Sequence, residues 1–178
     1  MNYRRLYIPN SIVFITVVTF ERREILIQNI NLLRLAFKQT KHKYQFDIVA
    51  ICVLKNHIHM LIKTKNINEY PDIIRNIKRN FSVNIDTSTI SDYYESNSRK
   101  NKGEKSIWQR RYYEHTIIDE YDLNKHIDYI HYNSMKHYGI APRDWLFSSF
   151  HKFVENGYYD KDWCNVIDKY GINELNYE

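Results

Sequence analysis

Residues 49–63, VAICVLKNHIHMLIK, constrain the fold of this chain more than any other stretch. Their pattern predicts two short apolar strands joined by a tight corner. Because side chains alternate between the two faces of a strand, His57 and His59 are predicted to share one face, while Ile58 and Met60 point into a core. The two imidazoles then stand roughly 7 Å apart along the strand. At this point the pair either shares one metal ion or consists of hydrogen-bonded strand histidines.

The chain has 178 residues, which predicts a single domain that buries a core without disulfides. Its net charge of +5 favours a polyanionic partner, and its sixteen tyrosines offer surfaces on which unpaired bases can stack. The two cysteines lie far apart and are expected to be free thiols. Because the sequence shows neither a signal peptide nor a bilayer-spanning apolar run, we expect a cytoplasmic protein without a membrane partner.

Hydrophobic periodicity along the chain predicts an α+β domain. The predicted elements are a strand at 12–20, a helix at 29–43, strands at 46–54 and 57–63, a helix at 68–86 and a strand at 107–118. This order predicts a ferredoxin-like βαββαβ sandwich, in which two helices back an antiparallel sheet. The remaining segments of the single domain, 1–178, are an extended arm at 1–11, a mobile loop at 87–106 and a C-terminal tail at 141–178.

An additional helix is predicted at 119–136, DEYDLNKHIDYIHYNSMK, with Asp119 as its N-cap and Gly139 just beyond its end. This helix is expected to cover the face of the sheet that carries the histidines. One of its stripes is polar and contains His126, Tyr129, Asn133 and Lys136. Tyr129 and Asn133 are four residues apart and therefore project from the same side of the helix.

Considered alone, this stripe favours the commonplace arrangement of a boundary tyrosine and an exposed asparagine over a reactive site. Together with the histidine pair it predicts a reactive site. A tyrosine hydroxyl has a pKa of about 10 and is a weak nucleophile at neutral pH, so it needs an electrophile that a cation has activated. Two histidines and the amide oxygen of Asn133 around Mg²⁺ or Mn²⁺ would polarise a phosphodiester in this way.

Three segments together resemble the REP-associated tyrosine transposases, which are single-tyrosine HUH transposases. These segments are the triplet His57-Ile58-His59, the stretch IWQRRYYEHTIIDEYDLNKHIDYIHYNSMKHYG and the stretch DWLFSSFHKFV. The resemblance implies a ferredoxin-like fold, a divalent metal on the two triplet histidines, Tyr129 as the nucleophile and Asn133 as a third ligand. The chain departs from the family pattern at Lys55, where a proline is common. It also departs at residues 133–139, which are NSMKHYG here and usually NPVKHG in the family.

The resemblance also implies a reaction. Tyr129 would attack one DNA strand at hairpin-flanked or palindromic repeats, giving a 5′-phosphotyrosine and a free 3′-hydroxyl without a nucleotide cofactor. His126 and Lys136 are candidates for proton transfer or phosphate contacts. The residues expected to contact single-stranded or hairpin DNA are Arg4, Arg5, Arg75, Lys78, Arg79, Trp108, Arg110, Arg111, Tyr112 and His115.

Two other functions remain open at this stage. One is a rolling-circle or relaxase-type HUH nickase, which shares the chemistry, although the short chain lacks a helicase segment. The other is a non-catalytic ferredoxin-like nucleic-acid binder with structural histidines. Metal-dependent covalent capture of DNA separates the enzymes from the binder, and either a monomer or a homodimer is compatible with the sequence.

Overall fold

A computed structural model describes residues 11–164 of the chain. Its four strands are β1 (Ile12–Val18), β2 (Phe46–Val53), β3 (His57–Thr64) and β4 (Tyr113–Thr116). They form one sheet in the order β2-β3-β1-β4, with every neighbouring pair antiparallel. The predicted ferredoxin-like α+β fold is therefore confirmed. Arg4 and Arg5 lie outside the described residues.

Helices cover both faces of this sheet. They are α1 (Ile30–Lys43), α2 (Tyr70–Asn84), α3 (Asn97–Lys100), α4 (Glu120–Tyr138) and α5 (Phe150–Glu155). One core packs α1 and α2 against the sheet, and a second core on the opposite face includes residues of α4 and α5. Within residues 11–164, no helix is both long enough and apolar enough to cross a membrane.

The central strand β3 fixes the position of the two histidines. It pairs with β2 on one side and with β1 on the other, where Val18 lies opposite His57 and Thr16 lies opposite His59. Ile58 is buried in the core beneath α1 and α2, as the alternation of side chains predicts. The two histidines therefore face α4, and both are fully buried rather than half-exposed.

The fourth strand is shorter than the sequence predicts. Only Tyr113–Thr116 pairs with β1 in a ladder, and Trp108 forms an isolated bridge with Thr19. Between them, the Nζ of Lys78 donates to the carbonyls of Gln109 at 2.7 Å and Arg110 at 3.2 Å. A side chain of α2 thus occupies these two carbonyls, while the N–H of Gln109 still donates to the carbonyl of Val18 on β1 at 2.9 Å. The mobility of the segment 87–106 stays a prediction, although this segment contains α3.

Helix α4 has the predicted start and a slightly later end. The side chain of Asp119 accepts a hydrogen bond from the backbone N–H of Asp122 at 2.7 Å, which is an N-cap. At the other end, Gly139 adopts a left-handed conformation with φ of 66°, and its N–H donates to the carbonyl of Met135. The helix thus continues through Tyr138, so His137 lies on its last turn.

Candidate active site

Each histidine of the β3 pair is held by its Nδ1 atom. The Nδ1 of His57 lies 2.6 Å from the Oδ1 of Asn56, which can only accept a hydrogen bond. The Nδ1 of His59 lies 2.8 Å from the hydroxyl of Thr16 on β1. Because the amide oxygen only accepts, the Nδ1 of His57 donates, and the Nε2 of this ring keeps the lone pair that a metal ion needs. The hydroxyl of Thr16 can donate or accept, so this contact holds the ring of His59 in place without fixing its tautomer.

A third histidine from α4 joins this pair. The ring centroids of His57 and His59 are 4.8 Å apart, and those of His57 and His137 are 4.9 Å apart. One nitrogen from each of the three rings lies within 4.8 Å of the others, which is close enough for one metal ion to draw them together. We call these three residues the histidine cluster. Sequence reasoning missed His137.

The signal for His137 was nevertheless present in the sequence. Tyr129, Asn133 and His137 are spaced four residues apart, so they lie on one stripe of the helix over two turns. That stripe faces β3. A helix that brings its tyrosine to the histidine pair therefore also brings the last residue of the series.

The surroundings of His59 favour its uncharged form. Burial lowers the pKa of His59 well below its usual value, and the nearby His57, His137, Lys136 and Arg22 lower it further. A neutral imidazole keeps the lone pair that a metal ion needs. The positive surroundings that disfavour a proton on His59 would also attract a phosphate group.

Tyr129 lies directly beside the histidine cluster. Its ring centroid is 5.1 Å from that of His59, in an edge-on arrangement, and Phe14 packs against it at 5.9 Å. The Nζ of Lys136 lies 5.2 Å from the centre of the tyrosine ring. Tyr129 is fully buried in this conformation. The structure therefore brings the predicted nucleophile, the predicted histidine ligands and Lys136 into one place.

Asn133 is buried one turn beyond Tyr129. Its Nδ2 donates to the backbone carbonyl of Tyr129, which fixes the amide so that Oδ1 is directed away from that carbonyl. Within the described part of the chain, this buried Oδ1 has no hydrogen-bond partner, and neither does the Nε2 of His59. Two buried acceptors without a donor are costly unless a cation satisfies them, so the residues present fit a metal ion.

The comparisons with known proteins agree with this geometry. The family model for IS200-like transposases matches residues 8–133. A protein of Haemophilus influenzae, provisionally named a REP-associated tyrosine transposase, is 39% identical over 165 residues, which are 91% of this chain and 92% of its own. The REP-associated tyrosine transposase of Escherichia coli is 31% identical over 175 residues, covering 97% and 96% of the two chains. The chain belongs to the REP-associated tyrosine transposase family.

A solved structure supports the same assignment. It is that of a REP-associated tyrosine transposase bound to a REP hairpin, with a TM-score of 0.74 and 32% sequence identity. The match covers 92% of this chain and 90% of that one. The homologues named transposases identify this family member as a DNA-processing enzyme.

The REP-associated tyrosine transposase fold also brings together a second group of ligating side chains, next to the histidine cluster. The Oδ2 of Asp122 lies 2.7 Å from the Nε2 of His115, and its Oδ1 lies 3.0 Å from the Nδ1 of His126. Burial raises the pKa of Asp122, but hydrogen bonds from His115 and from the N–H of Ile118 outweigh it and hold that pKa below its usual value. Burial lowers the pKa of His126. The carboxylate is therefore ionised beside a neutral imidazole.

Most cations predicted to contact DNA line one cavity of about 590 Å³ between α2 and the segment before β4. We call this the basic cavity; its predicted members are Arg75, Lys78, Arg79, Trp108 and Arg110. Several of them are already engaged. Arg75 pairs with Asp72 at 2.7 Å, and Arg110 pairs with Glu104 at 2.9 Å. Trp108 is buried in the core and donates from its indole nitrogen to the carbonyl of Lys78.

Arg79 is the exposed cation of the basic cavity that makes no ion pair with residues 11–164. Burial, with Arg99 nearby, lowers the pKa of Lys78 to about 8, although its Nζ donates to a backbone carbonyl. Arg111 is exposed and Tyr112 is half-buried just before β4. The structure thus separates cations that hold the backbone from those that remain accessible to a phosphate.

Proposed function

We propose that this chain is a metal-dependent single-strand DNA endonuclease and strand transferase, which cleaves hairpin-flanked or palindromic repeat DNA through a 5′-phosphotyrosine. The observation that carries the proposal is the histidine cluster lying beside Tyr129. Family membership supports a transposase, and a solved relative is bound to a REP hairpin. A non-catalytic nucleic-acid binder would have no need for a buried tyrosine next to three converging imidazoles.

His57, His59 and His137, with the amide oxygen of Asn133, would hold one divalent cation. Such a cation supplies charge that polarises the scissile phosphate and stabilises the negative charge that develops on its oxygens. Three imidazoles without a carboxylate suit a transition metal better than Mg²⁺, so Mn²⁺ is the better fit of the two cations considered. Asn56 and Thr16 contribute by fixing the orientation of the two β3 rings.

Tyr129 supplies the nucleophile. Its phenolic oxygen attacks the phosphorus, a bond from phosphorus to the tyrosine oxygen forms, and the bond to the 3′-oxygen breaks. The phenol loses its proton, and the departing 3′-oxygen gains one to become a hydroxyl. The Nζ of Lys136 lies 5.2 Å from the centre of the Tyr129 ring, and its positive charge would stabilise the phenolate. Because one phosphodiester is exchanged for another, the reaction needs no nucleotide cofactor, and a second 3′-hydroxyl can reverse it.

The DNA would reach the site at one end of the sheet. Val18 at the end of β1 pairs with His57, and the neighbouring Thr19 bridges to Trp108 at the wall of the basic cavity. Arg79 in that cavity can contact a phosphate of a DNA strand that extends from the histidine cluster. Since Tyr129 is fully buried, DNA binding has to move neighbouring groups before a phosphate contacts its oxygen.

Covalent capture tests the proposal. A hairpin oligonucleotide with a single-stranded flank and a 3′ label is incubated with the protein and Mn²⁺, and the products are run on a denaturing gel. The wild type should give a shifted protein–DNA band, and Tyr129→Phe should give none while still binding the hairpin, because it lacks a single oxygen. Tyr132→Phe is the matched control on the same helix. A band that persists in Tyr129→Phe overturns the proposal.

A further inference from the structure

His115, Asp122 and His126 converge at the junction of β4 and α4. One ligand atom from each of the three side chains lies within 4.8 Å of the other two. We propose that these residues form a second metal site, which takes Zn²⁺ and is separate from the histidine cluster. We call it the junction site. It rests on the fold and not on the proposed DNA cleavage.

The junction site combines a helical pair with a ligand from the sheet. Asp122 and His126 are four residues apart on the first turns of α4, so their side chains project from the same side. His115 comes from β4 and reaches the same carboxylate at 2.7 Å. Two imidazoles and a carboxylate form a donor set typical of Zn²⁺ sites that keep one position open for water.

The distances need only a small adjustment to accept the metal. Ligand atoms around a tetrahedral zinc lie about 3.3 Å from one another, because each is about 2.0–2.1 Å from the ion. The Oδ2 of Asp122 lies 2.7 Å from the Nε2 of His115, and its Oδ1 lies 3.0 Å from the Nδ1 of His126. The same Nδ1 donates to the backbone carbonyl of Asp122 at 2.8 Å, and it would give up this hydrogen bond to bind the metal. The rings of His115 and His126 are nearly parallel, at 13°. His115 would therefore turn, and its side chain, 34% exposed, has room to do so.

Existing contacts already hold Asp122 and His126 in place. The Oδ2 of Asp122 accepts a hydrogen bond from the N–H of Ile118 at 3.1 Å, and the ring of His126 is buried against Phe14. These are the kinds of contact that orient metal ligands in proteins. Occupation of the junction site would fasten β4 to the first turns of α4. It would thereby stabilise the helix that carries Tyr129, Asn133 and His137.

Zinc stoichiometry tests the junction site independently of DNA cleavage. In the His57→Ala/His59→Ala variant, which lacks two ligands of the histidine cluster, equilibrium dialysis should still find one Zn²⁺ per chain. Adding His115→Gln should weaken this binding at least about 100-fold. Even the loss of a group that only hydrogen-bonds to a metal ligand lowers the metal affinity about 10–100-fold. Adding His42→Gln, at an exposed histidine of α1, should leave the binding unchanged.

Two results overturn the proposal. The first is a double variant that is folded by circular dichroism and binds no Zn²⁺. The second is a bound Zn²⁺ that survives His115→Gln. If the double variant fails to fold, the number of bound Zn²⁺ ions is measured in chains that keep His57 and His59. The wild type should then bind two ions, and His115→Gln should bind one. Equal stoichiometry in those two proteins then refutes the junction site, whatever the outcome of the DNA capture experiment.

Discussion

At the scale of single residues, the chemistry depends on which ring nitrogen of each histidine is held by the protein. Asn56 and Thr16 take the Nδ1 atoms of His57 and His59, and neither of these partners belongs to the HUH triplet. One is the residue before the triplet, and the other comes from β1, 43 positions away from His59. The triplet supplies two candidate ligands, and neighbouring residues hold their rings.

Mutation can decide whether His137 contributes to metal binding. His137→Ala should lower the affinity for Mn²⁺ at least about tenfold, because it removes one imidazole of the histidine cluster. The half-buried position of this residue lets the fold survive the change. Isothermal titration measures the affinity, with His151→Ala on α5 as the control. Wild-type affinity in His137→Ala, with loss in Asn133→Ala alone, would contradict this assignment.

His131 gives a prediction about stability against pH. It is a buried residue of α4, its Nε2 lies 2.8 Å from the hydroxyl of Ser149, and burial lowers its pKa from 6.5 to about 3. The unfolded chain therefore binds a proton as the pH falls below about 6.5, whereas the folded chain does so only near 3. Acidification through this window lowers the free energy of unfolding.

His131→Gln removes the imidazole that takes up this proton in the unfolded chain. The free energy of unfolding of the variant should fall less steeply with acidification, by up to about 1.4 kcal/mol per pH unit. Urea denaturation between about pH 7 and about pH 4.5 measures the slope. His42→Gln, at an exposed position, should keep the wild-type slope. Parallel curves for the wild type and His131→Gln would contradict the buried, neutral state of His131.

Sequence reasoning could place His57, His59 and Tyr129, since strand alternation and helix periodicity act locally. It could not place His137, because that residue meets the pair only when α4 lies across the sheet. It also could not separate the cations of the basic cavity. Lys78 and Arg79 are neighbours on α2, yet Lys78 holds the carbonyls of Gln109 and Arg110 while Arg79 stays exposed.

At the scale of the elements, α4 is the part whose placement matters most for the candidate site. Its strong local signals, the Asp119 cap and the left-handed Gly139, made it predictable from the sequence. β4 was predicted too long. Its apolar and aromatic run indicates an extended chain, but such a run does not show whether the backbone groups pair with a neighbouring strand. A side chain from a different helix, Lys78, takes two of those groups.

The end of α4 therefore has a testable role. Gly139→Ala places a Cβ at a φ of 66° and should cost roughly 1 kcal/mol of stability, since only glycine adopts this conformation without strain. It should also weaken Mn²⁺ binding, because Gly139 ends the turn that carries His137. Gly103→Ala, at a φ of 63° in the loop, is the matched control. It should lower the melting temperature similarly and leave metal affinity unchanged, and equal metal affinities in both variants would contradict this role.

At the scale of the whole molecule, the sheet divides two tasks between its faces. The face under α1 and α2 holds the larger core, and the face under α4 holds the histidine cluster and Tyr129. Both the basic cavity and the histidine cluster lie near the end of the sheet where β1 stops and β3 begins. We therefore expect a single DNA strand to pass around this end of the sheet if it contacts both.

This arrangement predicts a preference for hairpins with single-stranded flanks over a blunt duplex, and a strong salt dependence. Arg79→Gln should lower hairpin affinity and reduce the slope of log K against log salt by about 0.7–0.9, the effect of one lost phosphate contact. Fluorescence anisotropy at several salt concentrations measures the slope. Arg34→Gln, at an exposed arginine of α1 outside the basic cavity, should keep the wild-type value. An unchanged slope in Arg79→Gln would exclude the cavity from the DNA path.

The account as a whole depends on Tyr129 forming a metal-dependent covalent bond with DNA. Mass spectrometry of protease digests tests this most directly, after the wild type has reacted with a flanked hairpin in Mn²⁺ and, in parallel, in excess chelator. We predict a nucleotide adduct linked through a 5′-phosphate to the peptide that contains Tyr129, and no adduct in chelator. An adduct on Tyr132 or any other tyrosine, or one that forms equally well in chelator, would contradict the account.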